Sequence, residues 1–314
     1  MSENEVLIIK VPGSTANLGP GFDSVGLALN VYLTLEVERA EGYEIIPLSE
    51  QLVSFPKDES NFILQTAIET ARKYQRELPG CKIKVKSDIP LARGLGSSAA
   101  AIVAGIELAD VLCKLFLSKQ EKLEIASRIE GNPDNVGASL FGGLVIGCQT
   151  DNAVWVESFN ELDLDVVAVV PKEELLTKES RGLLPKSFLY KEAVQAGALG
   201  NVLIAALMNK NFTLAGKMME ADLFHHPYRK KVVPHLSVIE KAALDFGAFG
   251  VALSGAGPTV LCLAEVGKSE ALIEGLKGIL PEMEYLRLTI DQTGSSVYSS
   301  LSNELNPSLN VKEL

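Results

Sequence analysis

The chain has 314 residues, 29 of them Lys or Arg and 40 Asp or Glu, which gives a formal net charge of −11 at pH 7. An acidic excess of this size runs against a nucleic-acid partner, whose affinity comes mostly from basic side chains on phosphates; it leaves small-anion binding open, because local dipoles decide that. With 47% hydrophobic and 22% charged residues the chain can bury a sizeable core, and its length predicts about two domains.

In chain order, Glu5–Val11 and Leu27–Glu38 read as strands, the second alternating at Val31, Leu33, Leu35 and Val37. Asn61–Glu77 reads as a helix ended by Pro79-Gly80, and Cys81–Ser87 as an alternating strand. Ser98 to Leu117 is an apolar helix; a second follows, opened by the capping-box pair Ser118 and Glu121 and closed by Gly131. Ser139–Cys148 is expected as a strand. The polar stretch Gln149–Asp163 then divides residues 1–160 from residues 161–314. The second half opens with the strand Leu164–Val170, followed by helices over Tyr190–Asn209, Phe212–Leu223 and Pro234–Phe246. Two strands flank Ser254–Thr259, then come a helix (Ser269–Leu280) and a strand (Glu284–Ile290). The tail after Gln292 is Ser/Asn-rich and expected to be loosely held. The pattern is α+β, with antiparallel pairing favoured over a doubly wound sheet.

Cys81, Cys113, Cys148 and Cys262 lie far apart with no C-x-x-C pair, which fits a reducing compartment better than a zinc site or a disulfide framework. The opening MSENEVLIIKVPGS carries acids and one short apolar run, unlike a signal peptide. The longest apolar stretch, Ala99 to Leu117, is broken by Glu107, Asp110 and Lys114, short of the ~18 uninterrupted residues of a membrane span. A soluble, cytoplasmic protein is expected.

Three glycine-rich segments carry the chemistry. In Pro90–Ala101 (PLARGLGSSAAA), Gly94 and Gly96 allow close backbone approach, and Ser97-Ser98 stand where an apolar helix begins. A helix start offers unpaired N–H groups and the positive end of the macrodipole, which suit phosphate. The plain alternative is a glycine turn with a serine N-cap. A P-loop is excluded, because no lysine stands in the required place. The second segment, Val11–Leu29, is a shaped loop projecting Asn17 and Asp23, although Asn and Asp in turns commonly bond their own backbone. The third, Val251–Leu263, lacks the last glycine of a dinucleotide fingerprint, since Val260 stands there, and reads as a tight loop between two strands.

Together and in this order, the three segments resemble the signature motifs of the GHMP small-molecule kinases. The segment Val11–Leu29, VPGSTANLGPGFDSVGLAL, is most similar to the homoserine kinase branch. The resemblance runs from about Ile8 to Asp291 and implies an N-terminal domain like domain 2 of ribosomal protein S5 and a ferredoxin-like C-terminal domain. It also implies ATP, with Pro90, Leu91, Ala92, Arg93, Gly94, Leu95, Gly96, Ser97, Ser98, Ala99 and Ala100 in the nucleotide region and Asn61 near the base. Magnesium would be held by Ser98 and Glu130. A glutamate in a last helical turn faces the negative end of the dipole, which points to a nearby cation, although a solvated glutamate there costs little.

On the substrate side the resemblance implies that Asn17, Asp23 and Asn135 meet the amino and hydroxyl end of L-homoserine. TKESRGLLP, with Thr177 and Arg181, and ADLFHHPYR, with His225 and Arg229, are similar to further elements of the branch. Two guanidiniums suit an α-carboxylate, whereas each alone reads equally well as a surface ion pair. Asp23, Asn135 and Thr177 form the implied catalytic set, with Asp23 a positioner more than a base. His225, His226 and His235 lack the i, i+4 spacing of a helical metal pair and read as structural, with His225 orienting a neighbour. Asn132 stands where the branch usually has His. Asn135 cannot accept a proton where some relatives use an aspartate base. The implied activity is phosphorylation of homoserine in threonine biosynthesis by a homodimer. A related kinase acting on mevalonate or shikimate, and a non-catalytic sensor, remain as rival expectations.

Overall fold

The computed structural model describes residues 6–299. β1 (Leu7–Asn17) and β2 (Gly21–Arg39) form the long antiparallel pair at the centre of a seven-stranded sheet. β2 forks: its residues Leu33–Arg39 pair with β4 (Cys81–Ser87), while Val25–Leu27 pair with β5 (Leu144–Gln149). β3 (Glu44–Pro47) runs parallel to β4, β6 (Val154–Phe159) forms a hairpin with β5, and β11 (Ser296–Ser299) closes the other side of β1. Four helices attach to this sheet: α1 (Phe62–Lys73), α2 (Ser97–Cys113), α3 (Lys119–Glu130) and α4 (Asp134–Phe141). α2 and α4 pack on β1 and β2, α1 on α2, and α3 on both α2 and α4.

The second sheet has the antiparallel order β10-β7-β9-β8, from β7 (Asp165–Val170), β8 (Ala248–Leu253), β9 (Val260–Ala264) and β10 (Glu284–Thr289). Side chains of β7 alternate between two cores, as the period of two requires. Val166, Ala168 and Val170 join the core of the first sheet, and Val167 and Val169 meet Leu236, Ile239 and Leu272 on the opposite face. The helices of this half are α5 (Thr177–Gly182), α6 (Tyr190–Met208), α7 (Phe212–Glu220), α8 (His226–Arg229), α9 (Pro234–Ala242) and α10 (Ser269–Lys277). No described helix is long and apolar enough to cross a membrane.

Four expectations need correction. The segment Val11–Leu29 is not a loop throughout: β1 reaches Asn17 and β2 starts at Gly21, leaving residues 18–20 as the turn. The run from Ser139 to Cys148 is not one strand: it ends α4 and begins β5, split by Gly142 and Gly143 at φ 76° and 68°. A short apolar run cannot distinguish strand from buried helix by periodicity, and this glycine pair is the break. The polar stretch Gln149–Asp163 contains β6, whose edge position tolerates polar side chains. The tail after Gln292 contributes β11, paired with β1 from Leu7 to Lys10. Its remainder, 300–314, and the opening Met1–Glu5 lie outside the described residues.

α2 is buried around most of its circumference, yet it carries two acids. Lys122 of α3 answers both, its Nζ lying 2.8 Å from Glu107 and 2.7 Å from Asp110. Asp110 also accepts from the Leu117 N–H, and Glu107 from the Ser295 hydroxyl ahead of β11. Burial works to lower the Lys122 pKa, but the two carboxylates outweigh it and hold the ammonium above its ordinary value. Removing one partner of such a buried network leaves uncompensated charge, so Lys122→Met is expected to lower unfolding stability by about 3–5 kcal/mol in a denaturant titration. A loss below about 1 kcal/mol would contradict the network's role.

Candidate active site

The N-terminus of α2 is planted where the three glycine-rich segments meet. Gly96, at φ 72°, occupies the N-cap position and offers no side chain, so the first N–H groups of α2 keep their unsatisfied donors. This differs from a serine-capped turn and leaves a dipole end free for an anion. The Leu95 carbonyl accepts from the Ser14 N–H at 3.1 Å, and the Ser254 hydroxyl donates to the Gly94 carbonyl at 2.6 Å. A Cβ at Gly94 would strike the Ser254 carbonyl, and one at Gly96 the Ser14 hydroxyl. The segments Val11–Leu29 and Val251–Leu263 are tied to each other as well, by the Asn17 amide donating to the Gly255 carbonyl at 3.0 Å.

Two cavities open on either side of this loop, with Ala92, Ser97 and Ser98 as a shared wall. One, of about 350 Å³, is walled mainly by apolar groups including Ile45, Phe55, Val85 and Ile89. Asn61 lines it, but its polar atoms are engaged in capping α1 through the Ile63 N–H and in bonding the Pro56 carbonyl. The other cavity, of about 300 Å³, is polar and lined by Asn17, Asp23, Glu130, Asn135, Thr177, Arg181 and Arg229, so the expected substrate residues converge there.

In the polar cavity the Ser98 hydroxyl donates to Glu130 Oε2 at 3.1 Å. Burial raises the Glu130 pKa, partly opposed by the Ser98 bond and by Arg181. Asn17 and Asp23 both sit in the left-handed region, at φ 76° and 55°, and the Asn17 amide oxygen accepts from the Asp23 N–H. Arg181 grips Asp23 with two bonds, at 3.0 and 2.7 Å. With its amide oxygen turned to the guanidinium, Asn132 accepts from Arg181 Nη2 at 2.5 Å, which gives the residue standing in place of the usual His a place in the site. Asn135 Oδ1 accepts from the Ser14 hydroxyl at 3.0 Å.

Arg229 is only 2% exposed. Its Nη1 donates to the Gly255 carbonyl at 2.9 Å and to His225 Nδ1 at 3.1 Å, while Nε has no partner among the described residues. Burial, with Arg181 adding to it, lowers its pKa to about 10, so it stays charged at neutral pH. His225 is kept neutral by burial and by His226 and Arg229. Its partners set the tautomer: Nδ1 accepts from Arg229, and Nε2–H donates to the Gly19 carbonyl. Asp222, beside the two histidines, accepts from the N–H groups of Phe224, His225 and His226, and His226 Nε2 accepts from the Leu253 N–H. The lone pairs of Asp222 and His226 are thereby engaged in building the seat of Arg229.

Several residues of the phosphate segment face elsewhere. Arg93 lines neither cavity; its guanidinium turns to the carbonyls of Leu91, Pro171 and Lys172 and to Glu174, tying the loop to the segment after β7. Leu95, Ala99 and Ala100 are fully buried, facing the core as the interior side of α2 requires, and Pro90 lies outside both linings. Among the cavity residues that escaped the sequence reading are Phe22 and Asp134. Phe22 sets its ring 5.7 Å from the Arg181 guanidinium and 5.6 Å from that of Arg229. Asp134 is buried at the start of α4, with one oxygen accepting from the Asn135 N–H and no cationic partner within bonding reach among the described residues. The only signal for it was an acid beside Asn135 at a helix start.

The fold and the loop geometry define a GHMP kinase. The family model for the GHMP kinases N terminal domain matches residues 61–143, and that for the GHMP kinases C terminal region matches residues 203–281. Within that class, the chain is 51% identical to a homoserine kinase from Bacillus velezensis over the full length of both, and 52% identical to one from Bacillus licheniformis over 94% of this chain and 96% of that one. The crystal structure of a homoserine kinase from Cytophaga hutchinsonii aligns with a TM-score of 0.81 at 27% identity, covering 95% of this chain and 99% of that one. A mevalonate kinase from L. major shares the fold at 19% identity, with a TM-score of 0.66 over 90% of this chain and 94% of that one. The chain belongs to the homoserine kinase family.

Burial raises the Asp134 pKa from 3.8 to about 7, with the Asn135 N–H opposing and Asp23 and Glu130 adding. A carboxyl whose folded pKa is raised stabilises the fold below its unfolded value, and that contribution is lost as pH rises through about 7. Asp134→Asn is therefore expected to be more stable than the natural chain by roughly 2–4 kcal/mol above pH ~7, the gain fading to none below pH ~4. Thermal unfolding across that range checks it; an Asn variant destabilised at every pH would contradict it.

Proposed function

We propose that the protein transfers the γ-phosphoryl group of ATP to the side-chain hydroxyl of L-homoserine, giving O-phospho-L-homoserine for threonine biosynthesis. One observation carries this reading: a phosphate loop forms the common wall between an apolar pocket and a polar cavity that holds Asp23 together with two guanidiniums, Arg181 and Arg229. The apolar pocket suits the adenine, and the free N–H groups of α2 suit the triphosphate. The polar cavity offers Asp23 and Asn17 to an ammonium, Arg181 and Arg229 to a carboxylate, and Asn135 and Thr177 to the hydroxyl.

The residues present fit magnesium, since the Ser98 hydroxyl and the Glu130 carboxylate are adjacent hard oxygen donors beside the loop. When bound, the ion would neutralise charge on the phosphates. The chain's own part is to position. Asn135, its amide oxygen already engaged by Ser14, has its NH₂ left to orient the nucleophile in line with the γ-phosphorus. Arg229, anchored at Gly255 and His225, fixes the carboxylate end at low entropic cost. The new O–P bond forms as the bond to ADP breaks, and a loose transition state lets positioning and charge neutralisation supply most of the rate.

In this reading residues 1–160 carry the nucleotide and residues 161–314 close over the substrate. We place the enzyme in the cytoplasm, a location supported by its four free cysteines. We also propose a homodimer, supported by α6, which exposes Tyr190 and Val194 at 87% and 56%. The discriminating experiment measures ADP release with ATP, magnesium and, in turn, homoserine, mevalonate, shikimate and galactose. Homoserine is expected to exceed every other alcohol by at least about 100-fold in kcat/KM. Turnover on mevalonate alone, or nucleotide binding with turnover on none, would contradict the proposal.

A further inference from the structure

Asp23 lies near the start of β2 and Arg181 on α5, 158 residues apart, yet they form the bidentate ion pair inside the polar cavity. Asp23 is the group an ammonium would seek, and Arg181 is one a carboxylate would seek. In this structure these two groups neutralise each other. Their surroundings keep them opposed: the Asn17 amide oxygen holds the Asp23 N–H, and the Ser180 hydroxyl pins α5 to the Ala256 carbonyl at 2.7 Å. Arg229 differs, being buried and bound to Gly255 and His225. The cation that must change partners is Arg181, with a side chain 40% exposed, a bidentate grip on Asp23 and one further bond, to the Asn132 amide oxygen.

We infer that the Asp23–Arg181 pair is an exchange latch that admits zwitterions and rejects singly charged alcohols. A ligand bearing both charges breaks one ion pair and makes two, ammonium with Asp23 and carboxylate with Arg181. A ligand bearing only a carboxylate takes Arg181 and strands Asp23, and one bearing only an ammonium strands Arg181. A half-buried charge left without a partner opposes binding in both cases. The Phe22 ring, 5.7 Å from the Arg181 guanidinium, offers it a surface during the exchange. Mevalonate and shikimate carry a carboxylate and no ammonium, so the latch excludes them by charge before any contact with their carbon skeletons.

The inference rests on the homoserine reading but is tested by binding alone. Calorimetric titrations at about pH 8, without nucleotide or magnesium, would compare homoserine, 4-hydroxybutyrate and 3-aminopropan-1-ol. If Asp23 competes for Arg181, Asp23→Asn should bind 4-hydroxybutyrate at least about fivefold tighter than the natural chain, and homoserine at least about fivefold weaker. Arg181→Gln should show the mirror result, gaining at least about fivefold for 3-aminopropan-1-ol. Glu174→Gln removes an acid that pairs with Arg93 and lines neither cavity, and should leave 4-hydroxybutyrate within about twofold of the natural chain. The latch is overturned if 4-hydroxybutyrate gains nothing from Asp23→Asn, or gains as much from Glu174→Gln. Homoserine turnover without the crossover would sink the latch alone; a natural chain inert toward homoserine would sink the function it rests on.

Discussion

Everything at the site depends on how closely the loop before α2 approaches its neighbours. Gly94 and Gly96 lie so near Ser254 and Ser14 that no side chain fits at either position. That approach brings the far part of β1, the start of the buried helix and a loop from the second sheet to one point. It also fixes a helix dipole, because α2 is enclosed by its own sheet and by α1, α3 and α4 and cannot tilt freely. The apolar pocket and the polar cavity are the two spaces left on either side of that junction.

A net charge of −11 is a less awkward setting for a nucleotide than it first reads. The proposed phosphate site relies on backbone N–H groups, a dipole end and hard oxygen donors, with no lysine cluster among its lining residues. The buried cations answer particular demands. Lys122 neutralises two acids that α2 carries into the core, holding α3, and with it Glu130, against α2. Arg229 sits on a scaffold of Asp222, His225 and His226 whose polar atoms are largely engaged in keeping it there. His225 and His226, which the sequence reads as structural, thus serve the substrate cavity through its arginine.

Much of this was legible in the chain. The strand Cys81–Ser87 and the helix between Ser118 and Gly131 follow from alternation and from a capping box, both local signals that nothing in the fold overrides. The run Ser139–Cys148 was misread because helix and strand look alike in eight or ten apolar residues, and only the left-handed pair Gly142-Gly143 separates them. β6 and β11 were missed because edge strands carry polar side chains, and their pairing is decided by distant partners. In the site, the resemblance to the kinase motifs pointed to Asn17, Asp23, Arg181 and Arg229, but not to which of them pair. The Asp23–Arg181 contact, the turning away of Arg93 and the isolation of Asp134 depend on neighbours far off in sequence, and no local pattern encodes them.

The account rests on the γ-phosphoryl group reaching the side-chain oxygen of an amino acid held by both its charges. Phosphorus NMR of a mixture of the protein, ATP, magnesium and L-homoserine observes that transfer without an assumption about rate. The account predicts ADP together with a phosphomonoester resonance split by the two protons of an adjacent methylene, in equal amounts. ADP with inorganic phosphate alone, or with phosphate on the carboxylate, would contradict it.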